Sequence, residues 1–372
     1  MLLLTTLSSG MISAYGDDGY QQVRSAVSDL CLAVPDAQVA ILDDAVSMAH
    51  FGGPAAARDQ DSFAIALNHV ATVVGLTTAG GGGILILGGN DIFPAWSVAN
   101  PVTDRSLDPD PSFLTDLPYG AHGSANPSDW LSPDIIPVGR ICAGAGDPAS
   151  ALCAIVETLI ANHQKKPLRA GYVEFTNREW QDASFSVITD MPGPGRLLIS
   201  PDDTVTAANS AELDARFLYC NLHGFNDDRA WKGYDPVRRS FVTALSADSF
   251  SPDAIAGSVI YTEACYGLQT AARPTSGSCA LSALAAGAAA VVGATGLAFG
   301  SLPGDPKNLI DADALARGFF QAALPPNSAP TPGGCLRAAR ASFLASSGAS
   351  PDSYARKTFL QFQLLGDPTL VV

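Results

Sequence analysis

Two apolar runs in the second half of the chain end in residues that can carry out nucleophilic chemistry. The run 217–222 is followed directly by His223 and Gly224, and the run "GSVIYT" is followed by "EAC", which ends at Cys265. Runs of this length are typical of buried strands, and sites of open α/β sheets lie at the carboxyl ends of strands. If the two runs are neighbouring parallel strands, His223 and Cys265 emerge at the same edge.

A cysteine beside a histidine is a pair suited to covalent catalysis. The thiolate is the reactive form of cysteine, and a nearby imidazole can take the thiol proton. A glycine after the histidine leaves its backbone N–H open to a substrate carbonyl, so we expect Gly224 and Cys265 to form an oxyanion hole. The alternative interpretation is an inert buried thiol with a structural histidine. Glu263 is expected to support the turn rather than to react.

Other candidate residues have simpler interpretations. His122, in "GAHGS", is also followed by glycine, but its neighbours are loop residues, so we expect it at a surface or cleft rim. Cys220 and Asp227 flank His223 but are too few to hold a metal ion. The remaining cysteines are expected to be packing residues: Cys31, Cys142, Cys153, Cys279 and Cys335.

Composition narrows the class of protein. The 372 residues carry a formal net charge of −15, which argues against nucleic-acid binding, and no CxxC pair is present. No stretch has the length and apolar character of a membrane span. The start "MLLLTTLSSG" lacks a basic segment and has a short apolar run, so we expect a first buried strand and a cytoplasmic location.

Alternating apolar runs and helix-like segments predict an α/β fold with a mostly parallel central sheet. Residues 90–134 are dense in Pro, Asp, Ser and Gly and predict a long ordered loop. The last segment, "SYARKTFLQFQLL", is expected to be helical. A change in composition near residues 160–168 suggests two parts, a smaller α/β subdomain at 1–162 and a catalytic subdomain at 163–372.

Several motifs, in one order along the chain, resemble the gingipain-like family C25 of clan CD cysteine peptidases. They are "ILILGGNDIFP", "TDLPYG", "PDIIPVGRI", "NLHG", "TEAC" and "FLQFQLLGDPTLVV". Together they span roughly residues 80–372. The resemblance implies a caspase-like catalytic half, preceded by a smaller α/β half. It also implies endopeptidase activity through a thioester intermediate.

The resemblance also implies roles for individual residues. Cys265 corresponds to the nucleophile and His223 to the base. An acidic residue before "VGR" orients the histidine in gingipains, and Asp134 is the candidate here, one position further from Gly139 than the family pattern predicts.

The same family likeness predicts the site that receives the substrate. In the caspase-like fold, the strand after the nucleophile lines the pocket for the residue before the cleaved bond, which predicts substrate contacts from Gly296, Leu297 and Ala298. With Asp147 as a counter-charge, cleavage would follow Arg or Lys.

A second class of function remains open. A caspase-like scaffold that binds partners without turnover would share this sequence pattern, although the intact His223, Gly224 and Cys265 favour the enzyme. A protein or peptide is the expected substrate, and control by a regulatory partner protein is left open. No cofactor is required by this chemistry. Calcium occurs in related peptidases and could bind the acidic loops, but the sequence has no EF-hand pattern.

Overall fold

Ten strands form one sheet to which both halves of the chain contribute. The structure is a computed structural model that describes residues 1–78, 81–121, 124, 126–164, 169–302, 308–324, 329–348 and 350–372. The strands of the sheet are β1 Leu2–Thr6, β2 Ala37–Ile41, β3 Gly83–Leu87, β6 Val138–Ile141, β7 Tyr172–Asn177, β8 Gly195–Ser200, β9 Phe217–Asn221, β12 Val259–Thr262, β13 Ala290–Ala294 and β14 Phe362–Gly366. Two hairpins add β4 Trp96–Ala99 with β5 Ser112–Thr115, and β10 Ala230–Asp235 with β11 Ser240–Ser246.

The strand order is β2-β1-β3-β6-β14-β13-β12-β9-β7-β8. The strands that precede residue 163 therefore lie together on one side, and those that follow it lie on the other. The two groups meet where Leu365 of β14 pairs with Arg140 of β6. Neighbouring strands are parallel within β2-β1-β3-β6 and within β13-β12-β9-β7-β8, whereas β14 runs antiparallel to β13. The predicted α/β class with a mostly parallel sheet is confirmed.

Helices cover both faces of the sheet. They are α1 Ser8–Ala33, α2 Ala45–His50, α3 Gln60–Val73, α4 Leu117–Gly120, α5 Ala149–Gln164, α6 Gln181–Ile188, α7 Pro252–Ile255, α8 Cys279–Ala285, α9 Asp311–Ala323, α10 Pro332–Ser347 and α11 Ser353–Gln361. Helices α1, α5, α6, α9, α10 and α11 supply residues to the largest cluster of buried apolar side chains. Among the described residues, no helix is both long enough and apolar enough to cross a membrane.

The prediction of a helix over residues 353–365 is correct up to Gln361 and wrong for the four residues that follow. Helix α11 ends at Gln361, and the chain continues as β14, whose five residues are all buried. A short apolar run such as "FQLL" has no periodicity that separates a buried strand from a buried helix. Its position between β6 and β13 decides the outcome, because the backbone there must pair with strand neighbours.

The loop after β6 contacts the loop that follows β12. The Gly144 N–H donates to the hydroxyl of Thr275, and the Ala145 N–H donates to the carbonyl of Arg273. These contacts join the loop after the carboxyl end of β6 to the loop that follows Cys265. The edge of the sheet formed by these strand ends is called the catalytic edge below.

Candidate active site

His223 and Cys265 follow two neighbouring strands, as their flanking apolar runs predict. β9 and β12 pair in parallel with Cys220 opposite Thr262, and the Glu263 N–H extends the ladder by donating to the Cys220 carbonyl at 2.9 Å. His223 comes two residues after the end of β9, and Cys265 comes three after the end of β12. The structure thus brings both residues to the catalytic edge.

Gly224 lies directly against the backbone of Cys265. A Cβ atom at position 224 would lie 1.9 Å from the Cys265 carbonyl oxygen and 3.1 Å from its nitrogen. Any side chain at this position would collide with the backbone that carries the thiol, so the site requires glycine. The N–H groups of Gly224 and Cys265 donate to no other residue in the described part of the chain, and the Cys265 N–H contacts its own sulfur.

Aromatic rings hold the imidazole of His223. Its ring centroid is 4.4 Å from that of Trp180 and 4.9 Å from that of Phe241. Its backbone exchanges two hydrogen bonds with Lys232, each of 2.8 Å. Burial lowers the pKa of His223 from 6.5 to about 4. The imidazole is therefore neutral at neutral pH and can accept a proton.

One nitrogen of this imidazole has no partner. Nε2 of His223 is buried and makes no hydrogen bond within the described residues. A buried polar atom without a partner costs free energy, and such atoms concentrate at functional sites. A proton from a thiol would satisfy this nitrogen.

The thiol of Cys265 faces the backbone of Ala298. Sγ lies 3.4 Å from the Ala298 nitrogen and 3.5 Å from its carbonyl oxygen. Burial raises the pKa of the Cys265 thiol, an effect that the Ala298 N–H and the cation of Lys357 partly offset. The pKa shifts of the two groups therefore favour a neutral thiol at Cys265 and a neutral imidazole at His223 in the free protein.

The predicted substrate-binding segment runs past the thiol. The carbonyl of Gly296 accepts from Tyr266 N–H at 2.8 Å, and the carbonyl of Leu297 accepts from the Gln361 side chain at 3.1 Å. The Leu297 N–H donates to Oδ2 of Asp110 at 3.3 Å. Gly296, Leu297 and Ala298 thus lie beside Cys265 and are fixed by several elements.

Asp147 ties two loops together. Its Oδ2 accepts from the Gly144 N–H at 3.0 Å, from the Thr275 N–H at 3.2 Å and from the Thr275 hydroxyl at 2.6 Å. These bonds join the loop after β6 to the loop after Cys265. This oxygen is therefore already occupied by three donors, and Asp110 is the carboxylate that contacts the segment 296–298.

The structure does not bring Asp134 to His223. Asp134 is exposed and precedes β6, whereas the catalytic edge lies at the other end of that strand. Its backbone N–H is bonded to the side chain of Ser132. Within the described residues, no carboxylate bonds to His223, and the residues that hold its ring are Trp180 and Phe241. An acidic residue placed by motif spacing alone was therefore the wrong choice for orienting this histidine.

Two of the motifs that resemble the C25 family contribute a buried ion pair. Arg140 of "VGRI" forms a buried bidentate ion pair with Asp116 of "TDLPYG", at 2.8 and 2.6 Å. Its remaining donor reaches the carbonyls of Gly88 and Phe93. This network ties β6 to the segments around Phe93 and Asp116 and to the end of β3, next to the catalytic edge.

Other candidate groups do not form a second site. All seven cysteines are free thiols, and burial raises the pKa of Cys220 to about 12. In the part of the chain that the structure describes, no three His, Cys, Asp or Glu side chains are grouped so that they could hold a metal ion. His122 lies outside the described residues.

Comparisons with known proteins give a consistent result. Residues 201–372 match the model of Peptidase family C25. No curated protein matches the chain. Two solved structures of a Porphyromonas gingivalis protein are similar over the whole chain at 11% identity and a TM-score of 0.65. They are the complex of RgpB pro- and mature domains, of which 79% is covered, and the Arg-specific cysteine proteinase gingipain R (RgpB), of which 78% is covered.

A third structure, described as a protease, gives a TM-score of 0.63 at 13% identity and is covered to 78%. At these identities the likeness shows the fold, which is the caspase-like α/β fold of the gingipain structures.

Proposed function

We propose that this chain is a cysteine peptidase of the C25 type in which Cys265 is the nucleophile and His223 the base, since residues 201–372 match the model of Peptidase family C25. The observation that carries the proposal is the contact between Gly224 and the backbone of Cys265. It joins the loop that carries the base to the loop that carries the thiol. The two N–H groups at this contact are the donors that acyl transfer needs.

The first half of the reaction breaks the peptide bond. His223 takes the proton from Cys265 Sγ as the sulfur attacks the carbonyl carbon, since both groups are neutral beforehand. The carbonyl oxygen becomes negative and accepts hydrogen bonds from the N–H groups of Gly224 and Cys265. The tetrahedral intermediate collapses to a thioester as His223 gives its proton to the leaving amine.

The second half restores the enzyme. A water molecule gives a proton to His223 and attacks the thioester carbonyl, and the same two N–H groups hold the new oxyanion. Collapse releases the carboxylic acid product, and His223 returns the proton to the Cys265 sulfur. The imidazole can carry the proton in both directions because its unpartnered Nε2 is available.

Hydrolysis of casein by matched cysteine variants tests the assignment. Cys265→Ala should abolish hydrolysis with the fold retained. Cys279→Ala, which removes a buried thiol at the start of α8, should keep most of the activity. Equal losses in the two variants would refute Cys265 as the nucleophile, and an inactive wild type would favour a binding scaffold instead.

We further propose cleavage after Arg or Lys. Asp110 supports this, because its carboxylate contacts the Leu297 N–H in the segment beside the thiol and hydrogen-bonds the Tyr266 hydroxyl. A buried cation needs such a counter-charge. The similar gingipain R is described as Arg-specific.

A library of fluorogenic peptides that vary in the residue before the cleaved bond separates Asp110 from Asp147. Asp110→Asn should weaken the preference for Arg and Lys, and Asp147→Asn should leave it intact. If Asp147→Asn weakened the preference and Asp110→Asn did not, Asp147 would be the counter-charge. Preference for Asp or small apolar residues in the wild type would exclude the proposal.

Protein or peptide substrates follow from this activity, and a regulatory partner is compatible with it. One of the similar structures is a complex of RgpB pro- and mature domains.

A further inference from the structure

A buried polar cluster lies beneath the catalytic edge, on strands that carry both members of the dyad. Its centre is Asp313, in the first turn of α9, with an exposed fraction of 2%. Asn221 donates to Asp313 Oδ1 at 3.4 Å, and the Ser301 N–H donates to Asp313 Oδ2 at 2.5 Å. Glu263 shares a side-chain hydrogen bond with Asp313 and accepts another from the Tyr219 hydroxyl at 2.5 Å.

These partners sit next to the reacting groups in the sequence. Asn221 is two residues before His223, and Glu263 is two residues before Cys265. Ser301 is three residues after Ala298, whose backbone contacts the Cys265 sulfur. Asp313 therefore binds the strand of the base, the strand of the nucleophile and the segment that lines the substrate site.

The close fit around Asp313 leaves little freedom to this arrangement. A Cβ atom on Gly300 would lie 2.6 Å from Asp313 Oδ2 and 3.6 Å from Glu263 Oε2. The Ala312 N–H, in the same turn of α9, donates to the Phe299 carbonyl at 2.9 Å. Segment 299–301 is thus held against the start of α9 by backbone and side-chain bonds together.

We propose that Asp313 is a positioning residue for the peptidase reaction, which holds His223, Cys265 and the substrate-binding segment in their relative positions. This inference rests on the proposed function. The chemistry requires a carboxylate, because Oδ1 and Oδ2 each accept from a different element. An amide accepts on one side only and presents a donor on the other. Burial raises the pKa of both Glu263 and Asp313, but their shared hydrogen bond raises the pKa of Glu263 and lowers that of Asp313, so Glu263 is the donor of this bond and Asp313 the acceptor.

The direct test is Asp313→Asn, which keeps the shape but turns one acceptor into a donor. Peptide turnover at saturating substrate should fall about tenfold or more, because small displacements of reacting groups are costly. Adding Asn221→Asp to the Asp313→Asn chain exchanges the amide and the carboxylate, which restores a donor opposite an acceptor. Peptide turnover by this double variant should be about threefold or more above that of Asp313→Asn alone. The matched control is Asp367→Asn, a fully buried carboxyl at the end of β14 that is paired with His163. It should stay within about twofold of wild type.

A second readout separates this inference from the proposed function. The rate of Cys265 alkylation by iodoacetamide at pH 7 needs no peptide turnover, and Asp313→Asn should lower it about threefold or more. If peptide turnover did not depend on Cys265, the proposed function would be refuted. The alkylation rate of Cys265 would still test the role of Asp313. An alkylation rate equal to wild type, or losses equal to those of Asp367→Asn, would overturn the inference. If Asp313→Asn does not fold, Asn221→Ala decides: slower alkylation supports the role, and an unchanged rate overturns it.

Discussion

Gly224 and Cys265 are in backbone contact, with only 1.9 Å between the carbonyl oxygen of Cys265 and the place where a Cβ of residue 224 would lie. The contact joins the ends of β9 and β12 beyond the last paired residues. We expect Gly224→Ala to lower kcat/KM about a hundredfold, since the two loops must separate to admit the methyl group. The control, Gly334→Ala in α10, meets only the Thr331 side chain and should leave kcat/KM unchanged. Near-normal activity in Gly224→Ala would mean that the loops tolerate separation.

The stability of the fold should fall in mild acid because of His223. In the unfolded chain this side chain binds a proton below about pH 6.5, but in the folded protein it does so only near pH 4. Between these values the unfolded state binds more protons, so stability decreases as the pH falls. Urea unfolding at pH 7 and pH 5 should show a smaller loss in His223→Gln than in wild type, by about 1 kcal/mol. Equal losses would show that His223 titrates normally.

The pH dependence of Cys265 alkylation reports the state of the thiol. Burial raises its pKa above the ordinary 9.0, so the thiolate is scarce at neutral pH. The rate of reaction with iodoacetamide should therefore keep rising with pH through 9.0, as measured by peptide mapping. An alkylation rate that is constant between about pH 6 and pH 8 would instead indicate a thiolate–imidazolium pair.

Lys357 and Asp108 form an ion pair near the thiol in which both side chains are fully buried. Lys357 also lies over the rings of Phe113 and Phe299. We expect Lys357→Met to lower the free energy of unfolding by about 3 to 5 kcal/mol, because the carboxylate of Asp108 would be left buried and unpaired. Adding Asp108→Asn should recover part of this loss in urea unfolding experiments.

A surface pair provides the comparison. Arg178 and Asp202 are about half exposed, and breaking this pair with Arg178→Met should cost less than about 1 kcal/mol. A similar cost for Lys357→Met would mean that water reaches the Asp108 carboxylate.

The placement of His223 and Cys265 after neighbouring parallel strands could be predicted because its signals are local. Each residue follows an apolar run of strand length, and sites of parallel sheets gather at strand ends, so His223 and Cys265 could be paired without knowing the rest of the fold. The likeness to the caspase-like fold placed the segment 296–298 after the next strand, β13. The parallel order of β9, β12 and β13 is what makes these local signals converge.

The remaining parts of the site have no local signal. Trp180 is 43 positions before His223, Asp110 is 187 positions before Leu297, and Asp313 is 92 positions after Asn221, so only the folded chain brings them together. Asp134 shows the opposite error, because a residue that precedes "VGR" lies at the amino end of β6, whereas His223 follows the carboxyl end of β9.

The most direct test of the account is to find which residue reacts with a substrate-like electrophile. A peptidyl chloromethyl ketone should alkylate Cys265, as identified by mass spectrometry of the digested protein. The reaction should be about a hundredfold slower in His223→Ala, because the base is lost. An adduct on Cys220 or Cys279, or an unchanged rate in His223→Ala, would contradict the assignment of Cys265 and His223 as nucleophile and base.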